Sequence, residues 1–372
     1  MERIAISPRD DYARKLEEIG FSFHMWDDYW KEDRYYRFTA RQIDEIEEAT
    51  NDLHQMCMEA VRFIIDRNRF EELDIPPLYW ETIKKSFNER EFSLYGRFDL
   101  AYDGVSPPKM LEYNADTPTS LLEASAAQWY WMEDALQGAD QFNSIHDKMV
   151  LRWSQLKSAS RLIHFASLSE NEEDWVCTHY IMDTAVQAGF EARHIFVEDI
   201  GWSEEDHVFV DLDNRPIETL FKLYPWEWMM REAFGKHVID CGTRFIEPIW
   251  KSVLSCKGLL PILWEMFPNH PNLLAAYREP GRLSSFAKKP IYSREGANIE
   301  LYRNGALIAS DPGPYDNEKV IYQELFNLKS FDGRYPIIGS WVVNGEAAGM
   351  GIREDSQPIT TDQSNFVPHC FR

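Results

Sequence analysis

A chain of 372 residues, 44% hydrophobic and 14% aromatic, can bury a large core, and its length suggests two domains or one domain with a sizeable lobe. A net charge of −23 and a pI near 4.9 argue against general nucleic-acid binding, which needs a basic footprint. They would tolerate or attract a cationic small molecule such as a polyamine, and equally fit an acidic surface with no charge-related role. The cysteines (Cys57, Cys177, Cys241, Cys256 and Cys370) are odd in number and form no CxxC pair, which excludes a disulfide framework or a zinc module. The first twenty residues lack the apolar core of a signal peptide, and no apolar run is long enough to span a bilayer. The expectation is a reduced, soluble, cytoplasmic protein with neither membrane nor nucleic acid among its partners.

Residues 1–38 mix aromatic and charged residues, including MWDDYW at 25–30, and read as an irregular, packed segment. Thr39 and Gln42 resemble a capping box. Ile43, Ile46, Leu53, Cys57, Ala60 and Ile64 follow at helical spacing, so a long amphipathic helix is expected there, with His54 on it in a structural or surface role. Pro76-Pro77 interrupts the chain, and a short helix is expected over 79–87.

Residues 91–102 alternate strictly, which marks a half-buried strand. Asp103-Gly104 signals a turn, and a second strand is expected over 109–114. Paired as a hairpin, the two strands bring Arg97, Asp99, Glu112 and Asn114 onto one surface. Two carboxylates, an amide oxygen and a guanidinium suit Mg²⁺ and phosphate, because Mg²⁺ takes hard oxygen ligands and Arg matches phosphate oxygens. The pattern also fits a solvated polar face with an Arg–Asp pair. Asp116-Thr117-Pro118 then reads as a helix start, with Thr117 at the N-cap and Pro118 in the first turn, and that helix N-terminus would offer N–H groups to an anion.

An α/β stretch comes next. A helix over 149–156, a strand over 162–166, a helix over 171–188 stopped by Gly189, and strands over 192–197 and 208–211 suggest a parallel, Rossmann-like sheet. Neither GxGxxG nor a Walker A motif is present. Residues 220–234 read as a strand end broken by Pro225 and followed by a helix, on which Glu227 and Arg231 could pair. Lys251 and Lys257 sit among apolar residues, either snorkelling or holding an anion. Two β-like segments flank residues 293–298, a loop able to close over phosphates or to serve as an ordinary hairpin turn. It has no large apolar residue to anchor it, so it is expected to be mobile. Strands over 320–326, 341–343 and 349–355 complete an antiparallel lobe carrying Lys289, Arg294 and Arg353, which has the look of a nucleotide clamp.

Four ordered motifs, EYNADTPTSLLE, EPIWKSVLSCKGLLPILW, FAKKPIYSREGANI and GEAAGMGIRED, resemble the synthetase domain of the glutathionylspermidine synthase family and its stand-alone relatives. The resemblance covers nearly the whole chain and implies an α/β (α+β) ATP-grasp ligase. It would have a Rossmann-like pre-ATP-grasp region and an antiparallel nucleotide-clamping lobe, divided near 1–245 and 246–372 with interleaved lobes. The bifunctional members carry a further amidase domain, for which this chain has no room, so it looks like the shorter type. The family's metal ligands fall on Asp99, Glu112 and Asn114, with Arg97 beside them. Its phosphate lysines fall on Lys257 and Lys289, and its adenine strand on Gln323 and Glu324. The arginine of its mobile loop falls on Arg294, and the one near the transferred phosphate on Arg353. Where the bifunctional enzyme has serine after EYNAD, this chain has Thr117. Asp116 would either bind the acid substrate or cap the next helix.

The implied chemistry is ATP- and Mg²⁺-dependent. A small carboxylic acid, of which a peptide such as glutathione is one kind, becomes an acyl phosphate, and an amine such as a polyamine displaces phosphate to give an amide. Another ATP-dependent phosphotransferase, or a non-catalytic nucleotide-binding protein on the same fold, are the competing readings.

Overall fold

The computed structural model describes residues 1–372. The alternating stretch forms a strand, Tyr95–Ala101, in a five-stranded sheet. Its neighbours are the antiparallel strands Lys109–Asn114 on one side and Tyr335–Val343 on the other. Glu346–Asp355 and Asn365–Val367 complete the sheet. All seven residues of the Tyr95–Ala101 strand are buried, not half of them. The alternation therefore separates core from cavity rather than core from solvent: Phe98 stacks on Tyr113 with ring centroids 3.8 Å apart, while Arg97 and Asp99 line an internal cleft.

The long helix, Ala40–Arg67, begins with the expected reciprocal cap. Thr39 Oγ1 accepts from Gln42 N at 3.3 Å, and Gln42 Oε1 accepts from Thr39 N at 3.0 Å. Its expected apolar face is buried, and it packs on the strands Tyr335–Val343 and Glu346–Asp355. His54 is structural, its Nδ1 3.0 Å from the Tyr113 hydroxyl. The helix Trp80–Asn88 also follows the pattern.

The first 38 residues are more regular than their composition suggests. Glu2–Ala5 and Arg34–Phe38 pair antiparallel, and His369–Phe371, from the far end of the chain, adds a parallel third strand. A helix, Tyr12–Glu18, lies between the first two. Strands this short are held by a partner more than 300 residues away, which no local pattern encodes.

The Rossmann-like region is a four-stranded parallel sheet in the order Arg244–Ile246, Thr219–Lys222, Leu162–Ser167, Glu191–Phe196. Asn171 caps the helix Glu172–Gln187, and Gly189 ends it at φ +92°. The strand Val208–Val210, expected in this sheet, instead pairs antiparallel with Gly201–Ser203. The connection from Phe196 holds only a turn of helix and this ribbon, too little for a parallel crossover.

A second five-stranded sheet, fully antiparallel, runs in the order Ala276–Tyr277, Val320–Glu324, Phe286–Pro290, Glu300–Arg303, Ala306–Ser310. It carries Lys289, but not Arg353. The strands with Trp341 and Arg353 belong to the first sheet, beside Arg97, so the expected single clamp is divided between two sheets. Strands from both sides of residue 245 share that first sheet, and the lobes interleave. Two large apolar clusters, of 52 and 31 buried residues, underlie the first sheet and its helices; the larger extends into the antiparallel lobe through Ala276, Ile291, Tyr292 and Ile321, and a small cluster of Ala287, Leu301 and Ile359 lies beside it.

Candidate active site

A cavity of about 470 Å³ lies where the two five-stranded sheets and the parallel sheet meet. Strand pairing builds its floor. Arg97 stands opposite Asn114 and Asp99 opposite Glu112, the convergence expected from the hairpin, with a bulge just beyond Asp99. The Tyr335–Val343 strand makes room for Arg97 with a glycine, since a Cβ on Gly339 would lie 2.8 Å from Arg97 Cδ.

Each carboxylate of this floor is held by cations. Asp99 Oδ1 accepts from Arg97 Nε at 2.8 Å and Oδ2 from Arg353 at 2.6 Å. Glu112 Oε2 pairs with Lys257 Nζ at 2.9 Å, and Oε1 accepts from Asn114 Nδ2 at 3.0 Å. Burial alone would raise the Glu112 carboxyl, but Lys257 and Lys289 outweigh it and hold the group well below the usual carboxylate range. Burial, reinforced by Lys257, pushes the Lys289 ammonium down to about 8, although Glu112 opposes the shift. Lys289 donates to Gln323 Oε1 at 2.7 Å and Leu111 O at 3.1 Å, and Lys257 donates to Ser293 O at 2.6 Å.

Eleven of the twelve residues singled out in the sequence line this one cavity: Arg97, Asp99, Glu112, Asn114, Thr117, Lys257, Lys289, Arg294, Gln323, Glu324 and Arg353. Asp116 does not. It is buried, with Oδ1 accepting from Lys222 Nζ at 2.7 Å and Oδ2 from Trp226 N at 2.8 Å. Both oxygens are spent tying the hairpin to the parallel sheet, so Asp116 is a structural tie rather than a substrate ligand. Nor does it or Thr117 start a helix. Ser120 has φ +65°, the helical backbone begins at Leu121, and a π-helical turn, Glu123–Ala127, precedes the α-helix Gln128–Ala135. Thr117 instead offers Oγ1 to Arg294 at 3.0 Å, and it is Thr119 O, not a helix N-terminus, that meets the site by accepting from Arg97 at 2.7 Å.

Gln323 is also more committed than expected. Its Oε1 holds Lys289 and its Nε2 donates to Met110 O at 2.9 Å. Lys251, read as snorkelling or anion-holding, does not snorkel, and the anion it holds is an internal one. It is buried, donates to Tyr95 O at 2.6 Å and Ala115 O at 3.1 Å, and pairs with Glu247 at 3.1 Å. Glu227 and Arg231 do not pair with each other. Glu227 holds Arg294 at 2.6 Å, and Arg231 holds Glu318 at 2.7 Å.

Two features of the cavity escaped the sequence. Asp174 and Glu295 give it an acidic wall, backed by Glu173. Burial and neighbouring carboxylates push Glu173 up to about 7, and burial, with Glu295 adding, pushes Asp174 up to about 6 despite the opposing Arg294. In the sequence these residues are only the acidic first turn of a helix. The other is Trp228, whose ring centre lies 5.5 Å from the Arg294 guanidinium.

No group of three or more His, Cys, Asp or Glu side chains forms a ready cage for a metal ion. Two carboxylates and an amide oxygen on one face fit the way Mg²⁺ is bound with a phosphate substrate, through one or two carboxylates and the substrate's own oxygens. Arg97, Lys257, Lys289 and Arg353 outnumber Asp99 and Glu112 around the hairpin floor, which suits a polyanion.

The fold is of the ATP-grasp type, and the relatives mark the chain as a carbon–nitrogen ligase. The chain belongs to the glutathionylspermidine synthase pre-ATP-grasp family, whose model matches residues 3–372. It is 43% identical over the full length of both chains to a provisionally named acid–amine ligase of Haemophilus influenzae. It is 30% identical to trypanothione synthetase of Crithidia fasciculata, covering 85% of this chain and 53% of that protein, and 27% identical to the bifunctional glutathionylspermidine synthetase/amidase of Escherichia coli, covering 90% and 58%. The chain thus spans a little over half the length of these last two relatives. Among solved structures, a glutathione synthetase-like effector of Globodera pallida in its apo form superposes with a TM-score of 0.57, over 99% of this chain and 100% of that one, at 12% identity. That likeness speaks for the fold alone. No helix of the structure is long and apolar enough to cross a membrane.

Proposed function

We propose that the protein is an ATP-dependent acid–amine ligase working through an acyl phosphate. The observation that carries this reading is the meeting, in one cavity, of five cationic side chains with two carboxylates and an amide on a single hairpin face. Asp99, Glu112 and Asn114 would hold Mg²⁺, which when bound supplies charge neutralisation at the nucleotide phosphates. Lys257 and Lys289 would sit along the phosphate chain, exchanging Glu112 and Gln323 for phosphate oxygens, and Gln323 and Glu324 would lie on the strand facing the base. Arg97 and Arg353 would offset charge on the transferred group, and Arg294 would close over it.

The acid's carboxylate oxygen would attack the γ-phosphorus, releasing ADP. The amine nitrogen would then bond to the acyl carbon as phosphate leaves, and one amine proton would be lost. Thr117 would hydrogen-bond the acid, and the acidic wall of Asp174 and Glu295 would favour the cationic amine at the other end. The relatives' names point to a glutathione-like peptide acid and a polyamine as the substrates to try first.

The test is ATP turnover with a panel of acids and amines. Amide formation that requires all three substrates, with equal amounts of ADP and phosphate, is expected. A stable phosphorylated acid without any need for amine would make the protein a phosphotransferase, and nucleotide binding without turnover would make it a non-catalytic binder.

A further inference from the structure

Glu227 and Arg231 leave the short helix Trp226–Met229 and the turn after it in two directions, each reaching the antiparallel lobe. Arg231 donates to Glu318 at 2.7 and 3.3 Å, and its guanidinium lies 5.6 Å from the Tyr292 ring centre. Glu227 is buried and accepts from Arg294 at 2.6 Å. The loops that carry Arg294 and Glu318 are joined to one another, since Asn298 donates to Asp316 at 2.7 Å and accepts from Tyr315 N at 2.8 Å. Arg231 and Glu318 are partly exposed and contribute little. The Glu227–Arg294 bond is charge-assisted and sheltered, so it is the stronger hold on this loop.

Arg294 has not spent its donors. One terminal nitrogen meets Glu227 and the other Thr117, while Nε is buried with no acceptor. The side chain lines the cavity over Trp228. The Arg294 nitrogen that meets Glu227 can serve that carboxylate or a phosphate oxygen, so an anion at the phosphate site competes with Glu227 for it. Gly296 lets the rest of the loop seat closely, because a Cβ there would stand 2.5 Å from Thr360 O, at φ +76°.

We propose that Glu227 is a latch and positioning residue for Arg294. Without nucleotide it holds the guanidinium against the wall of the parallel-sheet region, beside Thr117, and nucleotide binding transfers Arg294 from the Glu227 carboxylate to phosphate oxygens. The latch rests on the reading of this cavity as a nucleotide site. It lowers apparent nucleotide affinity, because part of the binding energy releases Arg294. It also keeps the loop over the acid-binding wall until the phosphates arrive.

Glu227→Gln keeps the shape and removes the competing charge. Its affinity for a non-hydrolysable ATP analogue with Mg²⁺ should rise about three- to tenfold. The amides of residues 293–298 should exchange several-fold faster than in wild type without the analogue, and at the same rate with it. A merely structural role would weaken binding instead. Glu227→Asp, one methylene shorter, should give a smaller rise and serves if the glutamine variant fails to fold. Unchanged or weaker analogue binding in a folded variant overturns the latch. Wild-type protein that does not bind the analogue overturns the nucleotide reading, and the latch with it.

Discussion

Glu112 shows how the site stores charge. Its carboxylate is partly withdrawn from water, yet Lys257 at 2.9 Å and the nearby Lys289 keep it ionised. The same contacts keep two lysines close together in a buried place, at the expense of Lys289's own proton affinity. An incoming polyphosphate and its metal would take over both sets of partners without leaving a charge uncompensated. Glu112→Gln should therefore fold normally and lose turnover by about a hundredfold or more, since a charge is missing where the transferring phosphate must be neutralised. Thermal midpoint and kcat, measured together, check this. Wild-type turnover would assign Glu112 to structure alone. Asp116 is the opposite case. Its position directly after the hairpin made a substrate role as plausible as a helix cap, but its two oxygens are fully used by Lys222 and Trp226. Asp116→Asn would leave Lys222 buried without its counter-charge and should cost about 3–5 kcal/mol in chemical denaturation. Unchanged stability with a raised KM for the acid would return Asp116 to the substrate.

At the scale of elements, local chemistry was legible and distant partners were not. The Thr39–Gln42 cap, the Gly189 stop and the hairpin of Arg97 with Asn114 all follow from residues close in sequence. The fully buried state of the Tyr95–Ala101 strand does not, because its cover comes from Tyr335–Val343 and the Rossmann-like region. Glu227 and Arg231 have a helical spacing, yet the helix ends at Met229 and each side chain finds a better partner in another lobe. The C-terminal strand His369–Phe371 adds a consequence that only the fold reveals. His369 is fully buried, its Nδ1 lies 2.8 Å from Gln128 Oε1, and its Nε2 has no partner. Burial pushes its pKa down to about 3, and burial with the Lys251 charge pushes His54 down to about 4. Both folded values lie below the ordinary 6.5, so the unfolded chain takes up protons that the folded chain refuses. Stability from these groups is intact above about pH 6.5 and is lost as pH falls toward 4. The thermal midpoint should drop through that window, and His369→Gln should flatten the decline. An equally steep decline in that variant would remove His369 from the account.

Across the whole molecule, three sheets converge on one cavity, and the sequence revealed its contents better than its walls. Motifs spread from residue 97 to residue 353 meet there because strands from both ends of the chain share a sheet. The acidic wall stayed hidden because Asp174 comes from a helix start with no motif of its own, and the loop over 293–298 pointed to phosphate through Arg294 and not to Glu295. The antiparallel lobe brings Lys289 and Arg294 to the cavity, seated on the main core through Ile291, Tyr292 and Ile321, with Glu227 holding Arg294 at its edge. On the proposed reading, with phosphates bound beside the hairpin and an amine by the acidic wall, the acid between them would be activated on its own carboxylate. Oxygen tracing tests that directly. With the acid labelled by ¹⁸O in its carboxylate, and with ATP and amine present, mass spectrometry should find one ¹⁸O transferred to each inorganic phosphate released alongside amide. Amide formed with unlabelled phosphate would contradict the acyl-phosphate route.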